Sequence, residues 1–365
     1  MDKFAFIIHP IDTADITRKF SLADKLPTPW IERIMTFLPP VKASYITGVE
    51  SPYAGIEGWF VGCTLNAKQM LALPTDFVVK KIIQSGKMAE KLGAKIVGLG
   101  AMTSVVGDAG LTIAKNLSIP VTTGNSYTVA TAIEGTKKAA EIMGVDLKKA
   151  KVTIVGATGS IGAVCAQLLA REVRDLNLIA RNHVKLEKLA KKLIYDYGLA
   201  VNVTSDIKSV LPTSDIVIAV TGAVETVIEP EYLKPGCIVC DVARPRDVSK
   251  SVIEKRDDVL VIEGGVVEIP GDVEFNLNFG FPPKTAYACM AETMILTLEK
   301  RFENFTLGRD LSIGQVEEIS KLADKHGFKL AGFRSFEKAV SDEQITSIKK
   351  RAGEKIRKLC PVSNI

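Results

Sequence analysis

The chain has 365 residues, of which 47% are hydrophobic and 24% charged, and its formal net charge is +5. At roughly 150 residues per domain, that length implies two or three domains, and the ordinary composition excludes wholesale disorder. Basic and acidic residues alternate along most of the chain, so nucleic acid is not an expected partner, and no apolar run reaches the ~18 residues of a membrane span.

The opening run "FAFII" after Lys3 lacks a small-residue cleavage site and is expected to be a first strand rather than part of a signal peptide. Next come a helix over "TADITRKFSLA", strands over "ASYITGV" and "IEGWFVGCTL", and a helix over "TDFVVKKIIQSGKMAEKLG" closed by Gly93. The strand "AKIVGLG" and a short helix before Pro120 complete an N-terminal α/β substrate domain, residues 1–123. A long helix over "TTGNSYTVATAIEGTKKAAEIMG", with Asn125 or Ser126 as its N-cap and Gly144 at its end, links it to the next domain.

From Lys151 the pattern becomes β-α-β-α-β: "KVTIVG", a helix after Gly162, "LNLIAR", the helix "HVKLEKLAKKLI", then "LAVNVT", "SDIVIAVTG", "GCIVCDV" and "DVLVIEGG". Strands alternating with helices specify a Rossmann-type, doubly wound parallel sheet. This linking helix and nucleotide-binding domain is taken as 124–280, and a C-terminal helical segment as 281–365.

Gly156, Gly159 and Gly162 lie between the first of these strands and its helix, where glycines allow a tight turn and helix N–H groups can face a pyrophosphate. Thr158, Ser160 and Ile161 share that turn. The second strand ends at Ala180 and is followed by Arg181 and Asn182 rather than by the carboxylate that grips the ribose of NAD. A guanidinium and an amide suit a 2′-phosphate, so NADP is the expected cofactor; the alternative is a surface arginine directed at Glu187 or at solvent. Val220, Thr221 and Gly222 end another strand, where the backbone can approach the nicotinamide ribose. In "DVARPRD", Arg244 and Arg246 either face a ligand or contact Asp241 and Asp247 within the turn.

The six cysteines are scattered and do not resemble a disulfide framework, which fits a reducing, cytoplasmic location. Cys237 and Cys240 form a C-x-x-C inside an apolar strand and are read as structural; no metal-ligand cluster is seen. Cys289 is the candidate nucleophile. Pro282 and Pro283 suit a helix start, which would put Cys289 in the second turn with Thr285 and Glu292 on its face. The residues alone leave a buried packing cysteine as the alternative. His326, near the end of an amphipathic helix, reads as a capping or surface residue.

The ordered motifs "TTGNSYT", "VGATGSIGAVCAQLLA", "LIARN", "GGVVE", "ACMAETMILTLE", "NFTLGRD" and "KHGF" resemble the long-chain acyl-(acyl-carrier-protein) reductase family, from about residue 95 to about 328. The resemblance implies an NADPH-dependent, aldehyde-forming enzyme acting on an acyl thioester borne by an acyl-carrier protein or CoA. It implies an acyl-enzyme on Cys289, and Glu292 falls in the same stretch as proton donor or packing residue. Tyr127 stands where that family often has His, and "SVVGDAG" departs from a more aromatic stretch. "DVARPRD" also resembles a loop of glutamyl-tRNA reductases. Two other functions remain open on the sequence: a dehydrogenase acting directly on an amino or hydroxy acid, and a non-catalytic NADP sensor.

Overall fold

The structure is a computed structural model describing residues 1–10, 27–223, 225–278 and 280–359. The helix expected over "TADITRKFSLA" lies outside the described residues. Two units partition the chain: 1–127 with 267–329, and 128–266 with 330–365. This differs from the expected division at 123 and 280 into three segments. The segment from 281 onward is shared between the units, because its first part packs on strands laid down early in the sequence.

The first unit is built on strands β1 (Asp2–Ile8), β2 (Val41–Glu50) and β3 (Gly55–Gly62), helix α1 (Thr75–Lys91), and strands β4 (Val97–Leu99) and β5 (Val121–Thr122). They form one sheet in the order β2-β3-β1-β4-β5, parallel except for the β2–β3 pair. Ala5, Ile7, Val61, Val97 and Leu99 bury one side chain set against Val78, Val79 and Ile82 of α1. The sheet is therefore covered by a helix whose apolar residues recur at helical spacing.

Helix α2 (Asn125–Met143) begins one residue earlier than the sequence suggests, so Asn125 and Ser126 lie in its first turn and Gly124 precedes it. Gly124 has φ +75°, a left-handed conformation that side chains with a Cβ rarely adopt.

The second unit holds β6 (Lys151–Val155), helix α3 (Ser160–Leu169), β7 (Asp175–Ile179), helix α4 (His183–Tyr197), β8 (Asn202–Thr204), β9 (Ile216–Ala219), β10 (Ile238–Asp241) and β11 (Leu260–Glu263). Its sheet runs β11-β10-β9-β6-β7-β8 and is parallel throughout. Strands β6 to β8 grow one way from the centre and β9 to β11 the other. This is the doubly wound order of a Rossmann fold, with its switch point between β6 and β9.

The remainder of the first unit supplies helix α5 (Ala288–Leu298) and helix α6 (Ile313–His326). Residues Met290–Leu298 of α5 are buried, with the helix packed on β1 and β4. A Cβ on Gly98 would stand 2.1 Å from Thr293 Oγ1, so the strand needs glycine there for the helix to seat. The second unit also holds a tight hairpin of Arg334–Ser335 with Lys338–Ala339 and helix α7 (Asp342–Leu359).

Candidate functional site

Within the second unit, the three glycines of the first βα turn have separate reasons to be there. Gly156 has φ +90°, and a Cβ on it would lie 2.5 Å from the Val220 carbonyl oxygen. On Gly162 a Cβ would lie 2.4 Å from the carbonyl oxygen of Gly156, so the helix rests directly on the turn. Gly159, the N-cap of α3, meets only the Gly156 oxygen at 3.3 Å and is exposed. Thr158, Ser160 and Ile161 are half-buried around it. The first turn of α3 carries no side-chain cap and no acidic residue, which leaves helix N–H groups for an anion. This cradle fits a dinucleotide pyrophosphate.

Arg181 and Asn182 follow β7 after Ala180, and both are exposed. Arg181 has no carboxylate within 4 Å among the described residues, and Glu187 instead pairs with His183 at 3.3 Å. Asn182 is the N-cap of α4: its Oδ1 accepts the Lys185 N–H at 3.0 Å. That bond turns the amide oxygen inward to the helix and leaves the NH₂ group, the half with the right polarity for a phosphate.

Val220 and Thr221 are half-buried and Gly222 exposed at the end of β9. In the adjacent "DVARPRD" loop, Arg244 and Arg246 pair with buried Glu263, at 3.4 and 2.6 Å, a partner not expected from the sequence. Asp241 accepts the N–H groups of Ala243 and Val248, each at 3.1 Å. Asp247 accepts the Thr221 N–H at 2.7 Å and also the Thr221 hydroxyl. Both aspartates are buried and pushed up by burial, Asp247 to about 6. Cys237 and Cys240 are wholly buried, and burial pushes both thiols up to about 12, as a structural assignment requires.

The first unit holds the second group of residues. Cys289 is the second residue of α5 and half-buried, not in a second turn. Thr285–Tyr287 is extended, with the Thr285 neighbour Lys284 at φ +60°, so the prolines at 282 and 283 precede a short strand instead of opening the helix. α5 has no side-chain N-cap and no acid in its first turn. At such a position the helix dipole favours negative charge.

Gly124 is pressed against this residue: a Cβ there would lie 2.3 Å from both the Cα and the Cβ of Cys289. Glu292, one turn along α5, is wholly buried and clasps the same loop. It accepts hydroxyls from Thr122 at 2.5 Å and Thr306 at 2.6 Å, and backbone N–H groups of Tyr127, at 2.8 Å, and Gly124. Burial pushes its carboxyl up, against the pull of those donors. The geometry joins Cys289, Gly124 and Glu292 into one packed block, with the thiol-bearing turn as its partly exposed end.

His326 is another departure. It is 1% exposed, with Nε2 2.6 Å from Glu299 and Nδ1 2.9 Å from Ser51, a residue far away in sequence. Neither surface exposure nor helix capping describes it. Among the described residues no group of three or more His, Cys, Asp or Glu could hold a metal ion.

The shikimate/quinate 5-dehydrogenase family matches residues 137–263, the span of the cradle and its sheet. The chain is 29% identical to the long-chain acyl-[acyl-carrier-protein] reductase of Synechococcus elongatus, over 80% of this chain and 87% of that one. It is similar to the acyl-carrier-protein reductases and carries a shikimate-dehydrogenase-like nucleotide domain. It is also 32% identical, over 95% of its length, to the aminotransferase PigE of a Serratia species, but it spans only 42% of that longer protein. A glutamyl-tRNA reductase of Cyanophora paradoxa is 25% identical over 72% of this chain and 58% of its own, in keeping with the "DVARPRD" resemblance. The chain thus has an NADP-binding Rossmann domain of the kind found in oxidoreductases. No described helix is long and apolar enough to cross a membrane.

Proposed function

We propose that the chain reduces an acyl thioester, presented on an acyl-carrier protein or CoA, to an aldehyde by way of a thioester on Cys289. The observation that carries this reading is the placement of Cys289. It is half-buried in the uncapped first turn of a helix, whereas the other described cysteines are at most 1% exposed. A thiol there can meet substrate with its anion favoured by the helix.

In the proposed sequence the Cys289 thiolate attacks the acyl carbonyl carbon and the carrier leaves as its thiol. NADPH, when bound, supplies the hydride that reduces the enzyme-bound thioester. The resulting hemithioacetal loses its C–S bond, releasing aldehyde and returning the Cys289 sulfur, which takes up a proton. Gly156, Thr158, Gly159, Ser160, Ile161 and Gly162 would hold the pyrophosphate, and Arg181 with the Asn182 amide the 2′-phosphate. Val220, Thr221 and Gly222 would border the nicotinamide half. Glu292 is proposed as a positioning residue: its burial and its four donors suit holding the 122–127 loop against Cys289 better than protonating a substrate. The free thiols of the described cysteines suit a reducing, cytoplasmic setting.

The test is intact-mass spectrometry after incubation with acyl-CoA and acyl-carrier thioesters, without NADPH, beside Cys289→Ala. The expected result is an acyl adduct on the wild type alone, discharged as aldehyde when NADPH is added. An unmodified wild type that still binds NADPH would overturn the covalent route in favour of direct dehydrogenation of an amino or hydroxy acid.

A further inference from the structure

Asp247 is 0% exposed, yet both of its carboxylate oxygens are spent on a single residue, Thr221. Oδ2 accepts the backbone N–H of Thr221 at 2.7 Å and Oδ1 its hydroxyl, whose oxygen in turn accepts the Ala223 N–H at 3.0 Å. The main-chain carbonyl of Asp247 accepts from Val227 at 2.8 Å and Ile228 at 3.0 Å. One residue thus fixes both the beginning and the end of the segment that leaves β9. Asp241 holds Asp247 in turn, accepting from its backbone N–H and from that of Val248 beside it.

The segment so fixed is the wall facing the glycine turn. Thr221 comes after Val220, whose carbonyl oxygen approaches Gly156 so closely that no Cβ fits there. Gly222, next along, has nothing within 4 Å of where a Cβ would stand and is exposed. In a doubly wound sheet each half binds one mononucleotide at the carboxyl ends of its strands; β9 is the first strand of the second half, which takes the nicotinamide. A buried carboxylate is a costly way to tie a turn, and here each of its oxygens has a donor.

We propose that Asp247 is a positioning residue for the dinucleotide, fixing the 220–222 turn through Thr221 and thereby setting affinity for the nicotinamide half of the cofactor without touching it. This rests on the NADP reading of the second unit but not on the thioester chemistry. The adenosine half would be held at the ends of β6 and β7, by the α3 turn and Arg181, whereas the Asp247 carboxylate bonds Thr221, just past β9.

Calorimetric titration of the full chain with NADPH, and with adenosine 2′,5′-bisphosphate as the adenosine half alone, tests the inference. Loss of hydrogen bonds to a charged group predicts that Asp247→Ala raises the NADPH Kd about tenfold or more, while the bisphosphate Kd stays within about twofold. Asp247→Asn is expected to fall between that variant and the wild type. Thr221→Val, which removes only the hydroxyl, is expected to weaken NADPH severalfold with the same selectivity. It decides the matter if the Asp247 variants do not fold. Equal weakening of both ligands, or no weakening of NADPH, overturns the inference. A wild type that prefers NADH sinks the NADP reading separately, and the same ratio is then taken with NADH against 5′-AMP.

Discussion

Cys289 of the first unit and the three described thiols of the second make opposite use of one side chain, and Cys63 of the first unit is buried like the latter. In the second unit Cys165, Cys237 and Cys240 are wholly buried, with burial raising each thiol far from ionisation. A Cβ on Gly264 would stand 3.1 Å from the Cys240 sulfur, so the packing there is close. In the first unit Cys289 stands at a helix start with its side partly open. The C-x-x-C pair, which a motif search would favour, is the inert one. Exposure and backbone dipole decide reactivity, and neither is a property of spacing.

The largest test of that contrast is a paired substitution. Cys289→Ala is expected to lower aldehyde formation by about 10³-fold or more, as loss of a nucleophile does, while Cys240→Ala leaves turnover within about twofold. Steady-state assays on both variants measure it, and an inactive Cys240→Ala with normal stability would break the comparison. Next in size is Glu292→Ala, which leaves two hydroxyls and two backbone N–H groups without their acceptor. A loss of about 2–4 kcal/mol in urea unfolding is expected, with Glu292→Gln costing clearly less. If Glu292→Gln were as stable as wild type but inactive, the carboxyl would be doing proton chemistry after all.

Arg181→Ala sharpens the comparison from the second unit. Loss of a charge-assisted pair to a 2′-phosphate should raise the NADPH Kd by about 10- to 100-fold and leave NADH nearly unchanged. Equal effects on the two nucleotides would reduce Arg181 to a surface residue. The smallest expected signal is the pH dependence of stability carried by Asp247. Burial raises its folded value to about 6, above the ordinary 3.8, with Asp241 adding to the rise and Arg244 opposing it. As pH rises from about 4 to about 6 the unfolded chain releases this proton first, so the folded state holds more protons and stability falls across that window. Asp247→Asn should flatten that part of the curve in thermal unfolding at stepped pH.

The strand and helix succession from Lys151 to Glu263 is legible in the sequence because alternation of apolar runs with helical periodicity is local. So are the three glycines, whose spacing encodes the turn. The start of α5 misleads because two prolines signal a helix N-terminus equally well when the chain first passes through a short strand. The clasp of Glu292 on Thr122, Gly124, Tyr127 and Thr306 has no sequence signal at all. Its partners lie up to 170 residues away, and a Glu in an apolar helix reads the same whether it faces water or the interior. His326 misleads for the same reason, its Ser51 partner being 275 positions distant. Asp247 is visible in the sequence only as a possible partner for an arginine; that it holds a backbone turn instead depends on the neighbouring strand.

The chain leaves the first unit at residue 127 and returns to it at 267. A ribosome therefore completes the entire nucleotide-binding sheet before it delivers α5, the helix that covers β1 and β4 and brings Cys289. At about 5–20 residues per second, the roughly 170 residues between Tyr127 and the end of α5 at Leu298 take on the order of 10–35 s. During that interval the nascent amino-terminal sheet keeps an apolar face without its cover. Cys289 thus arrives with the last piece of its own unit, and a chain released early would present sticky β-sheet without the cysteine proposed as nucleophile.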